Sequence, residues 1–296
     1  MSQGVELCAG SLRLEVFPEY GGSIGAFELR APSRTNSLMR HYEAQQAPSS
    51  GALAMSSFPL VPYSNRVLGG SFEFRGRHVR QSPNMLPHEH PLHGHGWKAA
   101  WRVAYQSASQ LILQYGHAPG EWPWRYSSTQ NFQLSGTSLR HTLSVENRSA
   151  EPMPAGLGFH PYFECNELTT LRAQLPTIWS AKNFVPQGLV PVSSAEDFRS
   201  PKRVSETSLD HCFAGWNGEA EIHWPDRGVR LRVNGDSVCQ HAVIYTPKGA
   251  PFFCFEPVSH ANDAFNLAAR GTTDTGMRVL EPGEKLSTTV LYSVDA

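Results

Sequence analysis

The segment Phe252-Phe253-Cys254-Phe255-Glu256-Pro257 predicts a buried β-strand that ends in a carboxylate. Successive side chains of a strand point to opposite faces, so Phe252, Cys254 and Glu256 share one face and Phe253 and Phe255 the other. Apolar neighbours raise the pKa of a carboxyl group, which suits a general base that works near neutral pH. The alternative is a glutamate at the end of a strand that turns toward water.

The rest of the chain repeats this pattern of short apolar segments between turn residues. Among its 296 residues are 25 glycines and 22 prolines, and only 17% are charged. Strand candidates of about five to seven residues recur, while residues 261–270 are the best candidate for a short helix. This pattern predicts an all-β fold, either a sandwich or a barrel, and we expect one continuous domain over residues 1–296.

Composition narrows the class of function. The formal net charge is −1, so no basic surplus indicates nucleic-acid binding. No segment approaches the roughly 20 apolar residues of a membrane span, and the first residues lack the pattern of a signal peptide. The five cysteines are scattered and odd in number, which favours free thiols in a reducing compartment. We therefore expect a cytoplasmic protein, monomeric or homodimeric, with no membrane or nucleic-acid partner.

Four of the 13 histidines fall within residues 88–95, in the segment His88-Glu89-His90-Pro91-Leu92-His93-Gly94-His95-Gly96-Trp97. If residues 93–97 are extended, His93, His95 and Trp97 share one face. One interpretation is a metal site, because His-x-His spacing can place two ligands together. The other is a sugar site, in which histidines donate to hydroxyl groups and Trp97 packs against a sugar ring or fills the core.

Three further side chains are candidates for chemistry. His160 shares a predicted strand face with Gly158 and Tyr162, and a partly buried imidazole can exchange a proton near pH 7; the alternative is a hydrogen-bonded core histidine. Arg66, after Asn65, offers planar donors for sugar hydroxyls or oxyanions, although most arginines are solvated. Asp210 precedes apolar residues and is more often a turn residue than a functional one.

Taken together, these residues resemble the aldose 1-epimerase, or mutarotase, family. The resemblance rests on short segments that occur in the family's order across about residues 60–257: Pro62-Tyr63-Ser64-Asn65-Arg66-Val67, Leu92-His93-Gly94, Gly158-Phe159-His160-Pro161-Tyr162-Phe163, Leu209-Asp210-His211, Tyr245-Thr246-Pro247 and Phe255-Glu256-Pro257. The fold that it implies is a large antiparallel β-sandwich with a sugar bound on a concave face.

The resemblance also implies roles for individual residues. It makes Glu256 the catalytic base and His160 the catalytic acid, and it makes Arg66, His93 and Asp210 substrate-binding residues, with Asn65 preceding the arginine. We extend the predicted binding set to His95 and Trp97. Val243 stands where many members of the family carry glutamine, so one sugar hydroxyl would lose a partner and the resemblance does not fix the preferred sugar. The implied reaction exchanges the α and β anomers of an aldose and requires neither a metal nor another cofactor.

Other functions remain as alternatives. They are a non-catalytic carbohydrate-binding sandwich, a hexose-6-phosphate 1-epimerase, a metal-dependent β-barrel enzyme built on His88, His90, His93 and His95, and a glycosidase that uses Glu256 and Asp210. The metal enzyme is disfavoured because no further glutamate and histidine follow at the spacing of a cupin.

Overall fold

The computed structural model describes residues 4–32, 34–42, 45 and 47–295. The strands, numbered in chain order, are β1 (Val5–Ala9), β2 (Leu12–Phe17), β3 (Ser23–Ala31), β4 (Arg34–Ser37), β5 (Ser57–Leu60), β6 (Ser71–Phe74), β7 (Arg77–Arg80), β8 (Arg102–Gln106), β9 (Gln110–His117), β10 (Tyr126–Leu134), β11 (Ser138–Asn147), β12 (Met153–Ala155), β13 (Gly158–Glu164), β14 (Thr170–Ala173), β15 (Thr177–Lys182), β16 (Val185–Pro191), β17 (Lys202–Arg203), β18 (Asp210–Ala214), β19 (Glu219–Trp224), β20 (Val229–Gly235), β21 (His241–Tyr245), β22 (Phe252–Val258), β23 (Arg278–Leu280) and β24 (Lys285–Asp295).

Helical segments are short. They are α1 (Ala47–Ser50), α2 (Ala264–Ala269) and 3₁₀ turns at Gly51–Ala54, Leu68–Gly70, Gly96–Lys98 and Val204–Glu206. α2 confirms the helix predicted over residues 261–270. Within the described ranges, no helix combines the length and the hydropathy needed to cross a membrane.

Two large antiparallel sheets dominate the described part of the chain. Sheet 1 has the strand order β1-β2-β3-β5-β13-β22-β21-β18-β15-β16, with β4 also paired to β3. Sheet 2 has the order β17-β14-β19-β20-β24-β11-β10-β9-β8. The large antiparallel β-sandwich is thus confirmed. The hairpin β6-β7 and the pair β12-β23 lie outside both sheets.

The main hydrophobic core lies between the two sheets. Phe253 and Phe255 of β22 are fully buried in it, and rings from opposite sheets meet there, as where Phe159 of β13 lies 4.7 Å from His141 of β11. The other face of sheet 1 carries a second apolar cluster that includes Phe58, Cys254 and Val258. The alternation predicted for residues 252–256 is therefore confirmed, and Glu256 projects from the face of sheet 1 that points away from sheet 2.

Two local predictions are wrong. The content of proline, serine and glutamine predicts a loop over residues 31–51, but the described part of this range includes β4 and α1. Residues 93–97 are not extended, because His93 and Gly94 have φ values of 60° and 67° and the chain then enters the 3₁₀ turn Gly96–Lys98. Side chains at positions 93, 95 and 97 consequently do not share one face.

Candidate active site

The centre of the candidate site is a pair of side chains on adjacent strands of sheet 1. β13 and β22 pair Gly158 with Val258 and Tyr162 with Cys254, and the same register sets His160 opposite Glu256. Directly opposed side chains on one face of an antiparallel pair are close neighbours. Here Nε2 of His160 lies 3.3 Å from Oε1 of Glu256. The geometry thus joins the predicted acid and the predicted base.

Burial controls the protonation of this pair. Glu256 is 2% exposed, and burial, assisted by the negative charge of Asp210, raises the pKa of its carboxyl group well above the ordinary range. Burial also lowers the pKa of His160 to about 3. Both effects disfavour charged forms and move the two pKa values apart, so between the lowered pKa of His160 and the raised pKa of Glu256 the pair holds a single proton.

Two neighbouring aromatic rings pack against the imidazole of His160. Its ring centroid lies 4.4 Å from that of Phe58 and 4.7 Å from that of Tyr162, and the Phe58 and Tyr162 centroids lie 6.1 Å from each other. The guanidinium of Arg40 lies 3.6 Å from the centroid of the Tyr162 ring and donates to the backbone oxygens of Leu53 and Met55. The ring therefore has little freedom to rotate, and its orientation toward Glu256 is fixed by packing.

A loop wall faces this pair from the side of residues 61–66 and 92–94. The backbone N–H of Asn65 donates to Nδ1 of His93 at 3.0 Å, and the N–H of His93 donates to the oxygen of Asn65 at 2.9 Å. Since Nδ1 accepts, the neutral ring carries its proton on Nε2. Burial and the nearby His160 lower the pKa of His93 well below its ordinary value, so His93 is a neutral hydrogen-bond donor.

Asn65 also orients Arg66. Its Oδ1 accepts from the backbone N–H of Arg66 at 2.9 Å and from Nη1 of the guanidinium at 3.1 Å. Asn65 has φ 58°, a left-handed conformation that asparagine tolerates better than most residues. The asparagine predicted from its place before the arginine thus serves to aim that arginine.

Gly94 makes the approach of the two loop segments possible. Its φ is +67°, and a Cβ at this position would lie 2.4 Å from the backbone oxygen of Val61. Only glycine fits such a contact without displacement of the backbone. The glycine next to His93 is therefore a structural requirement of the loop wall.

The pair and the loop wall enclose a pocket of about 280 Å³. Asp210, the first residue of β18, lies on its rim. The predicted residues that line it are Asn65, Arg66, His93, His160, Asp210 and Glu256, and the remaining lining residues are Leu53, Phe58, Met85, His88, Leu92, Tyr162, Phe184, Val243 and Tyr245. Six of the eight predicted site residues therefore meet in one cavity of sugar size.

The structure places His95 and Trp97 outside this pocket. His95 stacks on His117 at 4.5 Å, near Tyr126, and burial lowers its pKa to about 4. Trp97 is buried, donates from Nε1 to the oxygen of Leu92 and stacks behind Phe58 at 5.4 Å. The reversal of the chain at His93 and Gly94 separates them from the cavity, so Trp97 supports the wall by packing.

The arrangement of possible metal ligands differs from the predicted alternative. Among the described residues, only His160, Cys254 and Glu256 form a group whose ligand atoms lie within 4.8 Å of one another. Burial and Glu256 raise the pKa of the Cys254 thiol well above its ordinary value, which opposes the thiolate that a metal requires. Of the four clustered histidines, only His88 and His93 line the pocket.

Two kinds of lining residue were not predicted. Apolar side chains come from short segments whose sequence carries no periodic signal, Leu53 from the 3₁₀ turn Gly51–Ala54 and Met85 from a loop. Phe184 comes from the hairpin between β15 and β16, whose strands were not predicted at all. The signal that could have revealed it is the sequence Asn183-Phe184 after the apolar segment Ile178-Trp179, since Asn is common in tight hairpin turns.

Comparison with known proteins agrees with this geometry. Residues 4–293 match the model of the aldose 1-epimerase family, and the chain belongs to that family. An uncharacterized protein of Escherichia coli K12, YphB, is 33% identical, and the alignment covers 98% of each chain.

Solved structures give the same result for the fold. A crystal structure from Escherichia coli K12, provisionally described as an aldose 1-epimerase, is 31% identical over 99% of both chains, with a TM-score of 0.88. A galactose 1-epimerase of Lactobacillus acidophilus is 18% identical, covers 99% of this chain and 94% of its own, and has a TM-score of 0.77. At that identity the likeness concerns the fold alone.

Proposed function

We propose that this protein interconverts the α and β anomers of an aldose. The observation that carries the proposal is the distance of 3.3 Å between His160 Nε2 and Glu256 Oε1, inside a pocket that also presents Arg66 and His93. Opening a hemiacetal ring requires one group that removes a proton from the C1 hydroxyl and one that protonates the ring oxygen. A carboxylate beside an imidazole supplies both.

The reaction proceeds by two proton transfers in each direction. Glu256 takes the proton of the C1 hydroxyl, His160 gives a proton to the ring oxygen, and the bond between C1 and that oxygen breaks to leave an open-chain aldehyde. Rotation about the C1–C2 bond presents the other face of the aldehyde. The same pair then works in reverse, so the enzyme regains its starting protonation and nothing is oxidised or reduced.

The other polar residues of the pocket bind and orient the sugar. Nε2–H of His93 and the guanidinium of Arg66 are donors for sugar oxygens, and they stabilise negative charge that develops on oxygen during ring opening. Asp210 is the corresponding acceptor for hydroxyl groups. Arg66 also favours the ionised form of Glu256, because its positive charge lowers the pKa of that carboxyl group.

The charge of the pocket favours a sugar without a phosphate group. Arg66 is the only lysine or arginine among the described residues that line it, and it faces two carboxyl groups, Asp210 and Glu256. The negative charge of Asp210 offsets the positive charge of Arg66, so the pocket offers no surplus positive charge to a phosphate. We therefore place neutral aldoses ahead of hexose phosphates as substrates.

The test is polarimetry and NMR on freshly dissolved α-anomers of glucose, galactose and a panel of other aldoses. We expect Glu256→Gln and His160→Asn each to reduce the rate by about 10²-fold or more. Glu219→Gln and His223→Asn make the matched changes on β19 of sheet 2 and should leave the rate unchanged. The proposal is wrong if no aldose is accelerated, or if both site variants keep the full rate.

Outcomes also separate the alternatives. Sugar binding without anomer exchange would indicate a carbohydrate-binding protein. Release of a reducing sugar from a glycoside would indicate a glycosidase that uses Glu256 and Asp210.

A further inference from the structure

The hairpin between β15 and β16 carries an aromatic ring into the wall of the candidate pocket. β15 ends at Lys182 and β16 begins at Val185, so Asn183 and Phe184 form a two-residue turn. Both have positive φ values, 51° and 66°. Positive φ at both central residues is the mark of a type I′ turn, which matches the twist of the two strands.

Phe184 is an unusual residue for this turn. The left-handed region favours glycine, asparagine and aspartate, and a bulky side chain there is strained. The ring of Phe184 is not held by the core, since the residue is 50% exposed. Local strain that burial does not compensate is a reason to look for a function of the side chain.

The ring lies against Arg66. The guanidinium carbon of Arg66 lies 4.1 Å from the ring centroid of Phe184, a cation–π contact. Asn65 Oδ1 holds Nη1 of the same guanidinium at 3.1 Å. The amide of Asn65 thus holds one edge of the Arg66 guanidinium, and the ring of Phe184 covers one face. The rest of the guanidinium is directed to the pocket.

Phe184 also lines the pocket together with His160 and Glu256. Pyranose rings present patches of C–H bonds as well as hydroxyl groups, and an aromatic face is suited to cover such a patch. The hydroxyl groups of the sugar need hydrogen-bond donors and acceptors, which His93, Arg66 and Asp210 supply.

We propose that Phe184 is a further sugar-binding residue, which fixes Arg66 for hydrogen bonding and covers the C–H patch of the bound pyranose. The inference rests on the proposed function for the identity of the ligand as an aldose. The strained turn places this half-exposed ring at the site. The residues of the flanking strands β15 and β16 do not line the pocket.

The central test uses Phe184→Gly and Phe184→Asn, which remove the ring and suit the left-handed turn. KM for the aldose should rise roughly 5- to 30-fold, the range of a lost cation–π and stacking contact, while kcat changes less than about threefold. The melting temperature should stay equal or rise, because the turn strain is relieved. A merely structural role would instead lower the melting temperature.

Two control variants sharpen the comparison. Leu189→Ala removes a side chain of similar exposure, 41%, from β16 of the same hairpin, but Leu189 does not line the pocket. It should leave KM unchanged. Phe184→Tyr keeps the ring and should retain near wild-type KM.

A double variant separates the two contacts of the ring. If Phe184 acts only through Arg66, Phe184→Gly adds nothing to KM in an Arg66→Ala background; a further increase shows direct contact with the sugar. A further increase supports the proposal. No further increase overturns the contact with the C–H patch and leaves Phe184 as a residue that only positions Arg66. The whole proposal is overturned if Phe184→Gly leaves KM unchanged in the otherwise wild-type enzyme, or if Leu189→Ala raises KM equally.

Failure of the proposed function remains distinguishable. Should the wild type bind aldoses without exchanging their anomers, the dissociation constants of the same variants, measured by titration calorimetry, replace KM and decide the role of Phe184. A wild type that binds no aldose overturns both proposals.

Discussion

His160 Nε2 lies 3.3 Å from Glu256 Oε1, and the two residues face each other across the antiparallel pair β13-β22. Both lie in an environment that opposes charge, which raises the pKa of the carboxyl group and lowers that of the imidazole. Because the two groups lie so close together, they titrate as a coupled pair rather than as two independent groups.

The first prediction concerns the pH dependence of the rate. The active form holds one proton on the pair, and a second proton is added only where His160 can be protonated, near its lowered pKa of about 3. The value of kcat/KM should therefore not fall as the pH decreases through 6.5, the ordinary pKa of histidine. A rate profile from pH 5 to pH 9 checks this, with mutarotation in buffer alone subtracted. A fall in kcat/KM toward low pH that is centred near pH 6.5 would contradict the lowered pKa of His160.

The second prediction concerns the stability cost of Glu256. Its folded-state pKa is raised above the ordinary value of 4.5, so its protonated form stabilises the fold below pH 4.5 and that contribution is lost as the pH rises toward the folded-state pKa. Glu256→Gln is neutral at every pH. Its melting temperature should therefore exceed that of the wild type at pH 8, by about 2–4 °C for each kcal/mol relieved, and the difference should shrink toward pH 4.

Thermal unfolding of both proteins at pH 4, 6 and 8 measures this difference. Glu219→Gln, an exposed glutamate on β19, is the control and should show no pH-dependent gain. A difference for Glu256→Gln that does not grow with pH would show that the carboxyl group is not buried as the structure places it.

The centre of the site was predictable because it depends on strand alternation. Residues 252–256 alternate between two buried faces, and that period assigns Glu256 to one face without any knowledge of the partner strand. The proximity of His160 depends on the register of β13 against β22, which no local pattern contains. It was expected only from the likeness to a known family.

Two parts of the site were not predictable for different physical reasons. The extended conformation assumed for residues 93–97 fails at a single left-handed residue, His93, whose conformation is set by contacts with residue 65. The hairpin that carries Phe184 has Pro186, Gly188 and Pro191 in its second strand. These residues indicate a loop, but β16 is an edge strand, where a missing N–H donor is tolerated.

The third prediction tests the role of Asn65 in orienting Arg66. Asn65→Gly keeps the left-handed backbone but removes Oδ1, the acceptor for the guanidinium at 3.1 Å. KM for the aldose should rise roughly tenfold, in line with loss of a charge-assisted hydrogen bond, with little change in melting temperature. Asn65→Ala removes the same acceptor and adds backbone strain, so it should show the same KM and a lower melting temperature.

Enzyme kinetics and thermal unfolding on both variants provide the measurement. If Asn65→Gly keeps the wild-type KM, the amide does not position the arginine for the sugar. If only Asn65→Ala is impaired, the conformation at residue 65 is what the site needs.

The fourth prediction concerns discrimination against phosphorylated sugars. The pocket offers a single arginine, Arg66, whose positive charge is offset by the negative charge of Asp210. The ratio of kcat/KM for a free aldose to that for its 6-phosphate should exceed about tenfold at low ionic strength and fall as salt is added, because screening weakens the repulsion.

Asp210→Asn removes one negative charge and should reduce this ratio several-fold, although it also weakens binding of the free sugar. Glu206→Gln, an exposed acid in the 3₁₀ turn Val204–Glu206 that does not line the pocket, should leave the ratio unchanged. A wild type that prefers the phosphorylated sugar would show that Arg66 outweighs both carboxyl groups and that the substrate is a hexose phosphate.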